Sequence, residues 1–285
     1  MMRRLREIIG GVRWAFRFDN PFEVLCARHV FRRKRSVVVE HSGMQMLIDS
    51  QSSDAIAVTE VLLEAMYGQS IETAGAVAGD FRYLNLGANI GAFDVRLFQL
   101  LRGRHQSITG TAVEMNPATC ARLLLNLELN RMFSVRAINA AAWDEPGTVF
   151  VSVEDRDTGQ RGAIGGDPRG HTVPLMPWRE LFDLASVGGT LDLLKIDIEG
   201  AEEKVVPQLT GGDARRTRHL VIETHGLGIH QRVGDHLRRI GFVQASETPA
   251  RAKPMFHAGK VQRLPPLADE SEFQTRPIST ICRHA

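Results

Sequence analysis

Cysteine is scarce in this 285-residue chain: Cys26, Cys120 and Cys282 stand far apart, with no Cys-x-x-Cys pair among them. An odd, scattered set builds neither a disulfide framework nor a thiolate zinc site, and it suits a reducing compartment. Long apolar runs are missing too. No stretch approaches the ~20 residues that span a bilayer, and the charged N-terminus lacks the apolar core, about 7–15 residues long, of a secretory leader. The location expected from these absences is cytoplasmic. There is no Gly-Lys-Ser/Thr loop, which excludes a P-loop nucleotide site, and no Gly-x-Ser-x-Gly elbow to support a hydrolase. Neither sign of charge dominates: 35 basic and 33 acidic residues leave a net charge of +2, which argues against a surface built to coat nucleic acid. The balance of 43% hydrophobic and 24% charged residues excludes a disordered, collagen-like or coiled-coil chain. It is the composition of one large domain, or of a domain with a small extension.

The charge is unevenly placed. Residues 1–35 hold ten Lys and Arg against three acids, a net +7, and the remainder carries −5. In residues 3–17, Leu5, Ile8, Ile9, Val12 and Phe16 follow helical spacing with basic residues between them. This reads as a helix docked on its own domain, or as one that meets a membrane surface or a partner. Ser36–Glu40 and Met44–Asp49 read as a hairpin about His41-Ser42-Gly43, and 54–67 as a helix stopped by Gly68. The run 74–80 reads as a connector. These pieces form an N-terminal extension, residues 1–80.

From residue 81 to 285 the texture is strands alternating with helices. Strands are expected at Tyr83–Leu86, Ile108–Val113, Val135–Ala141, Thr148–Val153, Leu191–Ile196, His219–Thr224, Phe242–Ala245 and Pro277–Ile281. Residues 155–171 read as an exposed loop rich in Gly, Asp and Arg. The alternation predicts an α/β fold, a doubly wound and mostly parallel sheet with helices on both faces. Ligands of such a sheet sit beyond the carboxyl ends of its strands, so the residues there carry the functional argument.

The first of these ends is Asn85-Leu86-Gly87-Ala88-Asn89-Ile90-Gly91. Gly87 permits a tight turn close to a ligand, and Gly91 lets the next helix approach the sheet. The second strand ends in Val113-Glu114-Met115-Asn116-Pro117, with Glu114 placed to accept ribose hydroxyls. The most apolar strand ends in Lys195-Ile196-Asp197-Ile198-Glu199-Gly200-Ala201-Glu202. A carboxylate at Asp197, closing so apolar a strand, needs a functional reason. Glu202 and Glu203 read as acids of a helix start. Glu223-Thr224-His225 puts an imidazole, able to exchange a proton near neutral pH, at the next strand end.

These runs, with Asn126-Leu-Glu-Leu-Asn130, resemble in order the FkbM-type methyltransferases, class I enzymes dependent on S-adenosylmethionine. The resemblance covers roughly residues 81–245. It implies a Rossmann-like sheet of seven strands with the last antiparallel. It also implies a cofactor site at Asn85, Gly87, Ala88, Asn89, Gly91, Glu114, Met115, Ala142 and Asp197, and catalytic roles for Asp197, Glu199 and His225. Asn85 stands where the family usually has Asp. FkbM-type enzymes mostly methylate hydroxyls, so the expected acceptor is a sugar, a glycan or a secondary-metabolite small molecule. An alcohol needs a base, or a metal in its place. Because His225, His230 and His236 form no recognised ligand spacing, no metal is expected. Nucleic acid is not expected as the acceptor, since the end of the Leu191–Ile196 strand reads Asp-Ile-Glu-Gly rather than Asp/Asn-Pro-Pro-aromatic, and no nucleophilic Cys lies there. A catalytically silent nucleotide-binding scaffold with the same fold, and a dinucleotide oxidoreductase, stand as alternatives. The oligomeric state has no signature in the sequence.

Overall fold

The computed structural model describes residues 2–27, 36–50, 52–151, 170–225, 227–246 and 276–283. The N-terminal helical spacing folds as α1 (Met2–Ala15), and Pro21 begins the short α2 (Pro21–Leu25), where a missing N–H costs nothing. The hairpin is β1 (Ser36–His41) against β2 (Met44–Asp49). Ser42 and Gly43 turn it at φ 50° and 75°, the left-handed pair that a tight hairpin requires. Alternate residues Met44, Met46 and Ile48 are buried. The next helix is α3 (Asp54–Val58), which continues as a wider π turn over Thr59–Leu63. Gly68 does not stop a helix but opens α4 (Gly68–Ala74). The break falls earlier, at Ala65 with φ 54°, so the chain has already turned before the glycine.

The alternating part follows as β3 (Asp80–Leu86), α5 (Ala92–Leu101), β4 (Ser107–Glu114), α6 (Pro117–Leu129), β5 (Val135–Asn139), β6 (Ala141–Trp143), β7 (Gly147–Val151), β8 (His171–Pro177), α7 (Trp178–Ser186), β9 (Leu191–Ile196), α8 (Glu202–Val205), α9 (Gly211–Arg215), β10 (Thr217–His225), α10 (Leu227–Arg239), β11 (Phe242–Ser246) and β12 (Arg276–Arg283). Seven strands form one sheet in the order β11-β12-β10-β9-β3-β4-β5. Every pair in it is parallel, so the expectation of an antiparallel last strand is corrected. The physical reason lies in the connection. Residues 247–275 are far more than a hairpin turn needs, and a parallel return requires a crossover of about a dozen residues or more.

The strand expected over 135–141 is split between two sheets. Asn139 donates from Nδ2 to the carbonyls of Glu114 (2.9 Å) and Met115 (2.8 Å), and the chain then leaves the large sheet. Beyond it β6, β8 and β7 form a small sheet whose middle strand, β8, was not expected. Apart from its last two residues, the 155–171 loop lies outside the described residues.

Side chains pack on both faces of the large sheet. On one face Phe81, Phe93 and Leu123 join Ala15, Phe18, Val39, Met46 and Tyr67 from the extension in a single cluster. On the other, Trp178, Phe182, Leu209 and Leu237 join Leu84, Leu194 and Ile222 in a second cluster. Asn126, fully buried on α6, pins the extension: its Oδ1 accepts from Leu47 N (2.6 Å) and its Nδ2 donates to Leu47 O (3.1 Å) and Ile90 O (2.8 Å). Among the described residues no helix is long and apolar enough to cross a membrane.

Candidate active site

The chain runs from β3 outward through β4 to β5, then returns to the other side of β3 as β9 and β10. The crevice between the loops after β3 and β9 is therefore the topological switch point of the sheet. The two loops touch there. Asp197 N donates to Leu86 O at 3.0 Å. A methyl group added at Gly87, whose φ is 75°, would run into the carbonyl of Asp197. Glycine is required by conformation and by space at this one place.

A cleft of about 650 Å³, open to solvent, lies over this junction. One wall is the β3–α5 loop, with Gly87, Ala88 and Asn89; the floor carries Lys195, Asp197, Glu199 and Glu223. The opposite wall comes from the extension, through Ile56, Glu60, Val61 and Tyr67. Two residues at the rim, Asn89 and Glu199, hold left-handed backbone at φ 51° without being glycine. Asn tolerates this conformation, but at Glu199 it costs roughly 1–2 kcal/mol and persists where the surroundings enforce it.

Glu114 is buried behind Asn89. Its Oε2 accepts from Asn89 N and its Oε1 from Asn116 N, both at 2.8 Å. Burial raises its pKa to about 7, against the lowering effect of those amides. Asn116 in turn caps α6 through Oδ1, with Pro117 in the first turn, so the Glu-Met-Asn-Pro run builds both the carboxylate and its support.

The floor is a network of charge. Lys195 Nζ donates to Gly87 O at 2.8 Å and lies 3.2 Å from Asp197 Oδ2. Its ammonium stands 5.8 Å from the ring centre of Tyr67 and 5.9 Å from that of Phe93. Tyr67 Oη reaches Glu223 Oε2 (3.3 Å) and Asp197 Oδ2 (3.5 Å). His225 donates from Nδ1 to Glu202 Oε1 and from Nε2 to Glu199 Oε2, both at 3.1 Å. Although burial alone would lower it, the pKa of His225 is raised to about 9 by the Glu202 hydrogen bond and by Glu199 and Asp197. Burial and the Asp197 charge raise Glu199 to about 7.

Of the residues expected at the site, Gly87, Ala88, Asn89, Asp197 and Glu199 line the cleft. His225 adjoins it through Glu199, and Glu114 through Asn89. The others do not line it. Asn85 is fully buried and donates to Asp94 Oδ2 at 2.8 Å, so the carboxylate beside this strand end belongs to Asp94, raised to about 6 by burial. Gly91 is the N-cap of α5, Met115 packs on the small sheet, and Ala142 is buried in β6. Glu202, expected to be a helix-start acid, is fully buried and is the partner of His225. Lys195 and Tyr67 were missed. The signal for Lys195 was a lone cation inside the most apolar strand; Tyr67 carried none.

The sequence profile of the methyltransferase FkbM domain matches residues 85–244, more than half of the chain. The chain belongs to the FkbM methyltransferase family. Its cofactor is accordingly S-adenosylmethionine. The cleft of this FkbM methyltransferase fits such a group: a bare-backbone turn at Gly87, a carboxylate at Glu114 held by two amides, and acidic residues to face a cation. No curated protein is similar enough to count as a relative. Among solved structures the chain is similar to an FkbM methyltransferase from Methylobacillus flagellatus KT, at 13% identity over 70% of this chain and 44% of that one, with a TM-score of 0.33. It is also similar to SMU.776, a methyltransferase complexed with SAH, at 12% identity over 81% and 50%, with a TM-score of 0.38. Its likeness to P. horikoshii TYW2 in complex with MeSAdo is 17% identity over 38% and 36%, with a TM-score of 0.29. The chain thus spans half or less of the length of these three structures.

Proposed function

We propose that this protein transfers the methyl group of S-adenosylmethionine to a hydroxyl of a sugar, a glycan or a secondary-metabolite small molecule. The observation that carries the reading is the meeting, in one cleft, of the Gly87–Asn89 turn with the Asp197–Glu199–His225 cluster. The cofactor supplies a methyl on a sulfonium, which needs only an aligned nucleophile. The chain's own groups do the rest. Glu114 and the bare backbone of the Gly87 turn hold the adenosyl part. Lys195 and Tyr67 fix the Asp197 carboxylate at the floor. Glu199, raised to about 7, has the proton affinity suited to take the acceptor's hydroxyl proton at its carboxylate near neutral pH. His225 bridges Glu199 and Glu202, orienting the first and balancing the second. The extension wall excludes water from one side and shapes the acceptor pocket.

The test is an extract from a deletion strain, incubated with the purified protein and cofactor labelled in the methyl group. Label should pass to a molecule that is one methyl lighter in that strain, and Asp197→Asn should abolish transfer while keeping the wild-type circular dichroism. Cofactor binding with no labelled product would favour the scaffold alternative, and binding of NAD in its place an oxidoreductase.

A further inference from the structure

We propose that the Asp197–Glu223–His225 cluster is a binding site for a divalent first-row cation, which would hold the acceptor's hydroxyl oxygen beside the transferable methyl. The inference rests on the hydroxyl-acceptor reading above. One ligand atom from each of the three side chains can be chosen so that all lie within 4.8 Å of one another. Ligands on opposite sides of a cation at ~2.1 Å stand ~4.2 Å apart, so small side-chain rotations close the set. Two carboxylates and one imidazole form a donor set suited to manganese-like ions. The ends of β9 and β10 supply all three ligands, and Val221 pairs with Lys195 in the register that brings these ends together. Sequence spacing hides the site because the ligands come from two neighbouring strands rather than from one motif.

A second observation lies behind the imidazole. Glu202 is fully buried, its Oε1 sits 3.1 Å from His225 Nδ1, and among the described residues its Oε2 has no hydrogen-bond partner. A carboxylate on Nδ1 fixes the ring so that Nε2 is the atom presented to a metal, and such partners are worth about 10–100-fold in metal affinity. Nε2 is indeed the atom turned toward Glu199 (3.1 Å) and Glu223 (3.8 Å). Around this point stand the acids Asp197, Glu199, Glu202 and Glu223, against Lys195 and His225 on the cationic side. Among the described residues the site carries a surplus of negative charge that a divalent ion offsets. On binding, the cation displaces the Nε2 proton to solvent. An acceptor hydroxyl bound to the cation becomes more acidic and passes its proton to the Glu199 carboxylate, and the resulting oxygen bonds the methyl as the sulfonium carbon–sulfur bond breaks. The electron pair of that bond stays on sulfur.

The experiment is a titration of the full-length chain, freed of metal by chelation, with Mn²⁺ followed by electron paramagnetic resonance. Calorimetry with S-adenosylhomocysteine runs on the same samples. One Mn²⁺ should bind per chain. Glu223→Gln and His225→Gln should each weaken it at least tenfold, and Glu202→Gln by about tenfold, while S-adenosylhomocysteine affinity stays within about twofold. Absence of Mn²⁺ binding by a protein that still binds S-adenosylhomocysteine overturns the metal site and leaves the methyltransferase reading standing. So does Mn²⁺ binding that none of the three variants changes. Failure of S-adenosylhomocysteine to bind strikes the functional reading, with the Mn²⁺ titration deciding the site by itself. Should one variant lose its native circular dichroism, the wild-type stoichiometry and the remaining variants still decide.

Discussion

Replacing Lys195 by methionine removes a cation that joins the Gly87 turn to the floor of the cleft. Methionine keeps the apolar stem between the Tyr67 and Phe93 rings, so packing changes little and the loss is electrostatic. Two contacts go: the bond to Gly87 O at 2.8 Å and the ion pair to Asp197 Oδ2 at 3.2 Å. Removing one partner of a fully buried pair costs ~3–5 kcal/mol. The Lys195 side chain is 4% exposed but that of Asp197 is 22% exposed, so solvent recovers part of the loss. The expected destabilisation is ~2–3 kcal/mol. Urea unfolding measures it as a lower midpoint with an unchanged slope. Asp197→Asn in the Lys195→Met background supplies the deciding comparison. With the pair gone, neutralising Asp197 should cost less than it does in the wild type, giving a coupling of ~1–2 kcal/mol. Costs that add to within ~0.3 kcal/mol, or a single-variant loss below ~0.5 kcal/mol, would refute the view that Lys195 and Asp197 act as a pair.

Cofactor affinity should fall as the pH drops through about 7, because Glu114 then takes up the proton that burial favours and loses acceptor strength; Glu114→Ala should weaken binding and flatten that profile in calorimetry. The same raised value has a stability consequence of opposite sense. The folded carboxyl holds its proton more tightly than the unfolded chain, so this stabilisation is present below about 4.5 and lost as the pH rises through about 7, a fall that thermal melts across this range should show and Glu114→Gln should remove. Glu199→Gly should raise stability by about 0.5 kcal/mol, the relief of left-handed strain exceeding the added freedom of the unfolded chain, while lowering turnover at least tenfold; denaturation and a methyl-transfer assay check the two halves. Phe16 and Phe22 are 58% and 72% exposed, with ring centres 6.1 Å apart, beside the basic Arg13 and Arg17. Cosedimentation with phosphatidylserine vesicles tests whether this exposed pair meets lipid, and Phe16→Ser/Phe22→Ser should then reduce the bound fraction about tenfold.

What the sequence disclosed was what depends on local pattern. The run Leu191–Ile196, apolar without a break, is a strand buried along its whole length. The turn at Gly87 and the acid at Glu114 were legible because a doubly wound sheet places strand ends on one rim. What stayed hidden depends on partners remote in the chain. Nothing near residue 67 reveals that Tyr67 reaches across 156 positions to Glu223. The partnership of Glu202 with His225 is equally invisible, because an acid in a first helical turn looks the same whether it faces solvent or an imidazole. The direction of β12 could not be read from Pro277–Ile281, since a strand's polarity in a sheet is set by the path of the connection before it.

The asparagine bracket on α6 has a consequence for how such a chain diversifies. Asn126 and Asn130 grip the main chain of the hairpin at Leu47 and Gln45, and main-chain grips are indifferent to side-chain identity. In the segment that follows, the buried Asp54, Val58, Leu62 and Tyr67 hold the backbone over the cleft, and the cleft-lining side chains outside that core, Ile56 and Glu60, are the ones left to vary. On the proposed function, selectivity for the incoming molecule is then tuned at these positions on one wall, while the Gly87 turn on the other is left undisturbed.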